Sequence, residues 1–252
     1  MGADEHELTG GNTAGSVVRV GNTVRKPWTD STPVEHSYLA ALRSHHVDAP
    51  RLLGRDEDGR QIVEFVEGTI ALSQRPLDID ALRRVGRMIR RIHDASESIP
   101  IPDPDGWTLS LPADNPNLMS HNDLAPWNLV TGDRWVFIDW DGAGPSTRLW
   151  DLAYAAQAFG KLNQGEPVES AASRLRAFVD GYGADTLLRE ALPAAIVKRT
   201  AAMFELLRTS NETGLQPWAN MYTSGHGEFW HTASDYVAKN ETAWERALSR
   251  PE

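Results

Sequence analysis

The chain has no cysteine, which excludes disulfides and thiolate metal sites. No apolar run approaches the roughly 20 residues that a membrane span needs. The opening MGADEHELTGG has no basic stretch followed by an apolar core, so the expectation is a soluble cytoplasmic protein with no membrane partner. Positive charge is also scarce. Lys and Arg number 25 against 35 Asp and Glu, and the formal net charge of -10 repels nucleic-acid phosphates. Cationic small molecules are the more natural partners. None of the eight histidines stands in His-Glu-x-x-His metal spacing, and there is neither internal repeat nor low-complexity tract. What is present argues against disorder: a 40% hydrophobic fraction with nine tryptophans, in 252 residues that can bury a core as one large domain or two lobes.

Two textures divide the chain. Residues 16–66 alternate short β-rich runs, SVVRVGNTVRKP and RQIVEFVEG, with one helical segment, PVEHSYLAALRSH, whose Val34, Tyr38, Leu39 and Leu42 fall at helical spacing. From Asp78 helical patterns dominate. Asp78 is an N-cap candidate, and Ile79, Leu82, Val85, Ile89 and Ile92 mark one face of a helix whose five arginines form its wet side. Further helices are expected near 149–160, 168–182, 187–209 and 228–249. The proline-rich SIPIPDPDGWTLSLPADNPN reads as a loop.

The densest chemistry lies in SHNDLAPWNLV, residues 120–130. Beyond it, LVTGDRWVFID has two apolar runs flanking a turn near Gly132 and Asp133, the pattern of a short hairpin. Such a turn brings Asn128 back alongside Asp139, because cross-strand neighbours lie about 4.5–5.5 Å apart. Asp123 stands on the loop leading in. A single loop Asp or Asn is more often a turn former or cap than a ligand, but the hairpin gathers three such groups. Two oxygen donors meeting at a strand end suit Mg²⁺, which completes its shell with water and substrate phosphates. Asp123 is then left to act on a proton.

HNDLAPWN followed by FIDWD resembles the His-x-Asp-x-x-x-x-Asn catalytic loop and metal-binding Asp of the aminoglycoside phosphotransferase and choline kinase superfamily, relatives of the protein kinases. The resemblance implies that Asp123 is the catalytic base, that Asn128 and Asp139 bind Mg²⁺, and that His121 and Asp151, in LWDLA, brace the loop. It implies an α+β, two-lobed, protein-kinase-like fold, with a small antiparallel sheet and one helix in residues 1–66. A larger, mainly helical lobe, 67–252, would carry the catalytic loop and acceptor site. Nucleotide, ATP or GTP, would lie between the lobes.

The amino-terminal residues fit a nucleotide clamp. VVRVGNTVRK reads as two strands around Gly21-Asn22, so that Val17, Val24 and Lys26 share a face offering an apolar ceiling for adenine and a cation for phosphates. The preceding TGGNTAGS, with Gly11 and Ser16, would cover the phosphates with backbone amides. Arg25 and Lys26 alternate faces, and which of them serves stays open here. Glu35, at the start of the helix, resembles the glutamate that aims this cation, and equally suits a helix first turn as a favourable acid. IVEFVEG would form the last strand and hinge, with backbone at Glu64 and Val66 available to adenine.

For the acceptor the helical lobe offers Asp141, Asp180, Glu205, Glu212, Glu228 and Asp235 with Trp218, Trp230 and Trp244. Carboxylates suit an aminoglycoside or amino sugar, and an aromatic cage suits choline. The net charge tilts the expectation toward a cationic acceptor. Homoserine-like alcohols and other antibiotics stay open, as do two other classes: a kinase-like nucleotide-binding module without turnover, and a metal-dependent hydrolase with His121, Asp123, Asp139 and Asp141 as ligands. The hydrolase leaves the glycine turn and Lys26 without a job.

Overall fold

The computed structural model describes residues 5–8, 17–74, 76–102 and 109–249. Glu5–Glu7 (β1), Val18–Val20 (β2), Thr23–Lys26 (β3), Leu52–Arg55 (β4) and Gln61–Glu64 (β5) form an antiparallel sheet in the order β1-β2-β3-β5-β4. Gly21, at φ +58°, takes the left-handed conformation that a two-residue turn demands. It sets Val20 opposite Thr23 and Arg19 opposite Val24, the register expected from the sequence. Between β3 and β4 lies the helix Thr32–Ser44 (α1).

Thr69–Ile70 (β6) leaves this sheet and pairs with Leu129–Thr131 (β8), which pairs in turn with Val136–Phe137 (β9). Leu118–Ser120 (β7) pairs with Gly144–Ser146 (β10). The remainder is helical: Ile79–Ser96 (α2), Arg148–Gly160 (α3), Val168–Tyr182 (α4), Thr186–Thr213 (α5), Trp218–Met221 (α6), Gly227–Lys239 (α7) and Glu241–Leu248 (α8). Asp78 caps α2, its carboxylate accepting from Ala81 N at 2.8 Å. The single helix expected over 228–249 is broken at Asn240. There the side-chain amide donates to Tyr236 O (2.8 Å) and the chain turns so that Trp244, fully buried, can donate to Val237 O (3.0 Å). The helix expected over 187–209 runs on to Thr213 and carries Pro193 in its interior.

The fold is two-lobed, yet its largest core is shared. Leu82, Val85, Ile89 and Ile92 of α2 are buried with Tyr38, Leu39 and Leu42 of α1 and with residues of α3 and α4. Tyr38 anchors α1 to the larger lobe: its hydroxyl shares a hydrogen bond with Ser96 Oγ (2.7 Å) and reaches Met119 O (3.0 Å). Helices α2 and α4 cross with their backbones touching. A Cβ on Gly86 would strike Phe178 O and Tyr182 N, and one on Gly181 would strike Arg83 O. Backbone cannot retreat as a side chain can. Gly86→Ala is therefore expected to destabilise by about 1–3 kcal/mol, as overpacking does, despite alanine's better helix propensity. Chemical denaturation of the two proteins checks it, and a stabilised variant would show that the crossing has slack.

Candidate active site

The loop after β7 is set from below by α3. Thr147 caps α3 by accepting from Trp150 N (3.1 Å), which places Asp151 in its first turn. Asp151 is 1% exposed; its Oδ1 accepts from Asn122 N (2.9 Å) and its Oδ2 bonds His93 Nε2 (2.9 Å), whose other nitrogen meets the Tyr182 hydroxyl (2.9 Å). Asn122 is held at φ +64°, a conformation that needs such outside support. His121 is wholly buried: its Nδ1 accepts from Asp123 N (3.3 Å), so Nε2 carries the proton and donates to Ile138 O (3.1 Å). Both ring nitrogens are spent inside the loop. His121 therefore offers nothing to a metal, and no group of three or more His, Cys, Asp or Glu among the described residues could hold one, which removes support from the hydrolase reading.

Asp123 projects from this braced loop, half-buried. Its Oδ2 accepts from Asn128 Nδ2 (2.7 Å) and Trp127 Nε1 (3.3 Å). Burial pushes its carboxyl above the ordinary aspartate range, against the opposing pull of hydrogen bonds from Tyr154, Trp127 and Asn128. A carboxylate so placed is a better proton acceptor than one in water.

The hairpin after Asn128 forms, but its register differs by one residue from the expectation. Leu129 faces Phe137 and Ile138 N donates to Asn128 O (2.9 Å), so Asn128 stands across from Ile138 instead of Asp139. The reason is that pairing Leu129 with Phe137 and Val130 with Val136 centres the turn on Asp133, one residue shorter than Asn128 opposite Asp139 would need. Asp139 follows one step later at φ +62°, and this left-handed residue swings the chain toward the sheet. With its Nδ2 given to Asp123, Asn128 keeps Oδ1 as the atom able to face a cation.

Across the cleft, Lys26 Nζ lies 2.6 Å from Asp139 Oδ1 and 2.6 Å from Asp141 Oδ1. Of the two adjacent cations only Lys26 points this way; Arg25 turns to Thr23 and to Asp56 (3.4 Å) on the other face. Burial opposes the charge on Lys26, but the two carboxylates prevail and hold its pKa above the usual lysine range. The expected Glu35 partner is not the one found. Glu35 is buried (4% exposed) and accepts from Ser31 Oγ, while Asp139 and Asp141 are close enough to satisfy the ammonium themselves. Two carboxylates share one monovalent cation, with Glu35 adding to the negative field. The donor chemistry therefore fits a divalent ion such as Mg²⁺ on Asn128 Oδ1 and Asp139.

Glu35 reports that field. Burial first, then the Asp141 and Asp139 charges, outweigh Ser31 and Lys26 and raise its pKa to about 7. The folded protein thus binds this proton more tightly than the unfolded chain, whose glutamates titrate near about 4.3. The stabilisation is complete below that value and is lost as pH rises through about 7. Glu35→Gln should therefore melt increasingly above the parent between pH ~5 and ~8 in metal-free buffer. A constant difference in melting temperature across that range would contradict it.

The other expected cofactor contacts are mixed. Val17 leads into β2 and Val24 sits opposite Val63, both half-buried. The Glu64 amide is already spent on Arg51 O (2.8 Å), and its carboxylate on Arg134 (2.7 Å). Val66 packs on Val130 and Val136, and its amide makes no hydrogen bond to a described residue. Gly11 and Ser16 lie outside the described residues.

On the acceptor side, Asp180 pairs with Arg189 (2.7 Å), Glu205 and Glu212 with Arg208 (2.7 and 2.6 Å), and Asp235 lies 3.8 Å from His231. Glu228 is exposed. Trp244 belongs to the main core, whereas Trp230 and Trp218 join Trp127 and Tyr154 in a second aromatic cluster beside Asp123. Tyr154 stacks on Trp230 at 5.9 Å and meets Trp127 edge-on at 6.2 Å. Trp127 and Tyr154 beside Asp123, with Arg199 and Trp150 next to Tyr154, are the residues that sequence reasoning missed. The only available signal was the four-residue spacing of Trp150 and Tyr154 on α3.

Residues 105–192 match the model of the phosphotransferase enzyme family. A relative over the whole length is the trifolitoxin immunity protein of Rhizobium leguminosarum bv. trifolii, 28% identical over 266 residues, with 98% of this chain and 99% of the relative covered. Among solved structures, the amicoumacin kinase hAmiN, in complex with AMP-PNP, Ca²⁺ and amicoumacin, superposes with TM-score 0.66 at 12% identity, covering 96% of this chain and 88% of that one. A choline/ethanolamine kinase family protein from Mesorhizobium loti gives TM-score 0.61 at 16% identity, covering 98% and 92%. The superfamily that HNDLAPWN and FIDWD resemble is the one these comparisons return. The segment bearing Asp123, Asn128 and Asp139 is thus similar to the phosphotransferase enzyme family, and the chain shares the fold of the solved kinases named above.

Proposed function

We propose that this chain is a nucleotide- and Mg²⁺-dependent small-molecule kinase that moves the γ-phosphoryl group of ATP, or of GTP, to a hydroxyl of its acceptor. The observation that carries the reading is the bridge from Lys26 to Asp139, 113 residues apart, at 2.6 Å, with Asp123 on the braced loop nearby. Asp123 takes the hydroxyl proton as the acceptor oxygen bonds to phosphorus and the bond from that phosphorus to the β-phosphate oxygen breaks, releasing the nucleoside diphosphate. Asn128 positions Asp123 through its amide and, with Asp139, would hold Mg²⁺, which when bound offsets phosphate charge. Lys26 stands at the lobe boundary ready to contact phosphate. Val17, Val24 and Val66 line the adenine side, and the Val66 amide is available as a hinge donor. Little covalent chemistry is asked of the protein beyond positioning and charge.

The full-length relative is named for immunity to a toxin, and amicoumacin is the ligand in a structural neighbour's complex. Those names support a protective role, in which phosphorylation disarms a hydroxyl-bearing antibiotic. A coupled nucleotide-turnover screen with Mg²⁺ against aminoglycosides, amino sugars, choline, hydroxy amino acids and hydroxylated peptides tests the reading. Nucleotide binding without turnover, with any acceptor or with water, would favour the silent module.

A further inference from the structure

Arg199 is the one charged side chain among the described residues that is buried without a hydrogen bond. It is 5% exposed, and its Nε and Nη1 are sealed from solvent with no partner. It lies on the inward face of α5, and its guanidinium stacks on two residues of α3: the Tyr154 ring at 4.5 Å and the Trp150 ring at 5.3 Å. Tyr154 in turn adjoins Asp123, and Asp123 and Asp151 are near enough for their charges to be felt at Arg199. Burial works against this cation, yet a guanidinium keeps its proton in proteins. Two aromatic faces offset part of the cost, but they cannot accept the in-plane N–H groups. A buried charge without an ionic or hydrogen-bonding partner is costly, so a guanidinium left in this state asks for an anion that arrives from outside.

We propose that Arg199 is a specificity determinant of the acceptor site and receives a carboxylate of the acceptor, so that the molecule phosphorylated is a hydroxyl-bearing carboxylate, such as a hydroxy amino acid or a small hydroxylated peptide. This deepens the kinase reading and rests on it. The position of the guanidinium fits this role, because one residue, Tyr154, touches both the base that takes the hydroxyl proton and the cation that would hold the acid. A planar fork set over two aromatic rings is restrained in a way that favours bidentate contact. A purely cationic acceptor would instead meet a buried positive charge beside the reacting hydroxyl. An amine on the same molecule is compatible with the chain's net charge of -10.

The test uses the whole protein with Mg²⁺ and AMP-PNP for titration calorimetry, and with Mg²⁺ and ATP for turnover. The probes are L-homoserine and glycyl-L-serine, each against its own carboxamide, which keeps the shape and removes the charge. A charge-assisted pair of this kind corresponds to about a 10-fold or greater preference for the carboxylates in Kd and in kcat/KM. Arg199→Met should bring the preference to within about two-fold, and Arg199→Lys should fall between. Arg199→Met should also melt no lower than the parent, since it removes an unpaired buried charge. The inference is overturned if carboxamides bind as well as carboxylates, if the preference survives in Arg199→Met, if that variant is clearly destabilised, or if neither carboxylate binds a protein that still hydrolyses ATP. Absence of Mg²⁺-nucleotide binding would sink the kinase reading instead, while calorimetry with the carboxylates alone would still decide the role of Arg199.

Discussion

Asp123→Ala is expected to lower kcat by about 10²–10⁴-fold, the range lost with a general base, while leaving Mg²⁺-nucleotide affinity nearly unchanged. Asp139→Ala should abolish both. The difference follows from where each carboxylate points. Asp123 is held by Asn128, Trp127 and Tyr154 on the acceptor side, whereas Asp139 lies against Lys26 on the nucleotide side. Removing Asp139 takes away the proposed metal ligand and one of the two anions that neutralise Lys26, leaving Asp141 alone with the ammonium. Titration of a fluorescent ATP analogue with and without Mg²⁺, beside steady-state turnover, separates the two variants. Equal losses of nucleotide affinity would show that the roles are not divided this way. Because burial raises the Asp123 carboxyl, kcat/KM of the parent should also fall on the acid side, at a pH above that of an ordinary aspartate.

The largest stability effect is expected at Asp151. Its carboxylate is fully buried and serves two elements at once, the Asn122 amide of the catalytic loop and His93 of α2. Asp151→Ala leaves both groups unpaired in the core, a loss of about 3–5 kcal/mol. For a chain of this size a melting temperature falls about 2–4 °C per kcal/mol, so a drop of roughly 10 °C is expected. Asp151→Asn should be much milder, since an amide oxygen can still accept from Asn122 while its nitrogen donates to a His93 that has switched tautomer. Calorimetry on the three proteins decides the matter, and an alanine variant as stable as the asparagine one would remove Asp151 from its bracing role.

How much of this was legible beforehand depends on the distance between the interacting residues. The Gly21 turn, the Asp78 cap and the apolar face of α2 are local patterns, and each reads directly from neighbouring residue types. The clustering of Asp123 and Asn128 is also local, because they stand only five positions apart. The pairing of Lys26 with Asp139 and Asp141 in preference to Glu35 is set by how the end of β3 meets a loop 113 positions away, and residue spacing carries no trace of it. The one-residue shift at Asn128 comes from a turn one residue shorter than an Asn128–Asp139 pairing requires. Arg199 was hidden for another reason. In the run AAIVKRTAAMF an arginine reads as the wet side of a helix, and only the approach of Trp150 and Tyr154 makes it an interior group.

The anchoring of α1 has its own consequence. In protein kinases the corresponding helix is positioned by activation, completing the site in one position and dismantling it in another. Here Tyr38 bonds to Ser96 and Met119 and meets Trp140 edge-on at 5.8 Å, beside the very turn that bears Asp139 and Asp141. Withdrawing the helix would tear open the common interior, so this chain has surrendered that lever and must be poised for turnover as soon as it folds. Control over such a protein would fall to how much of it is made and to whether its target is present.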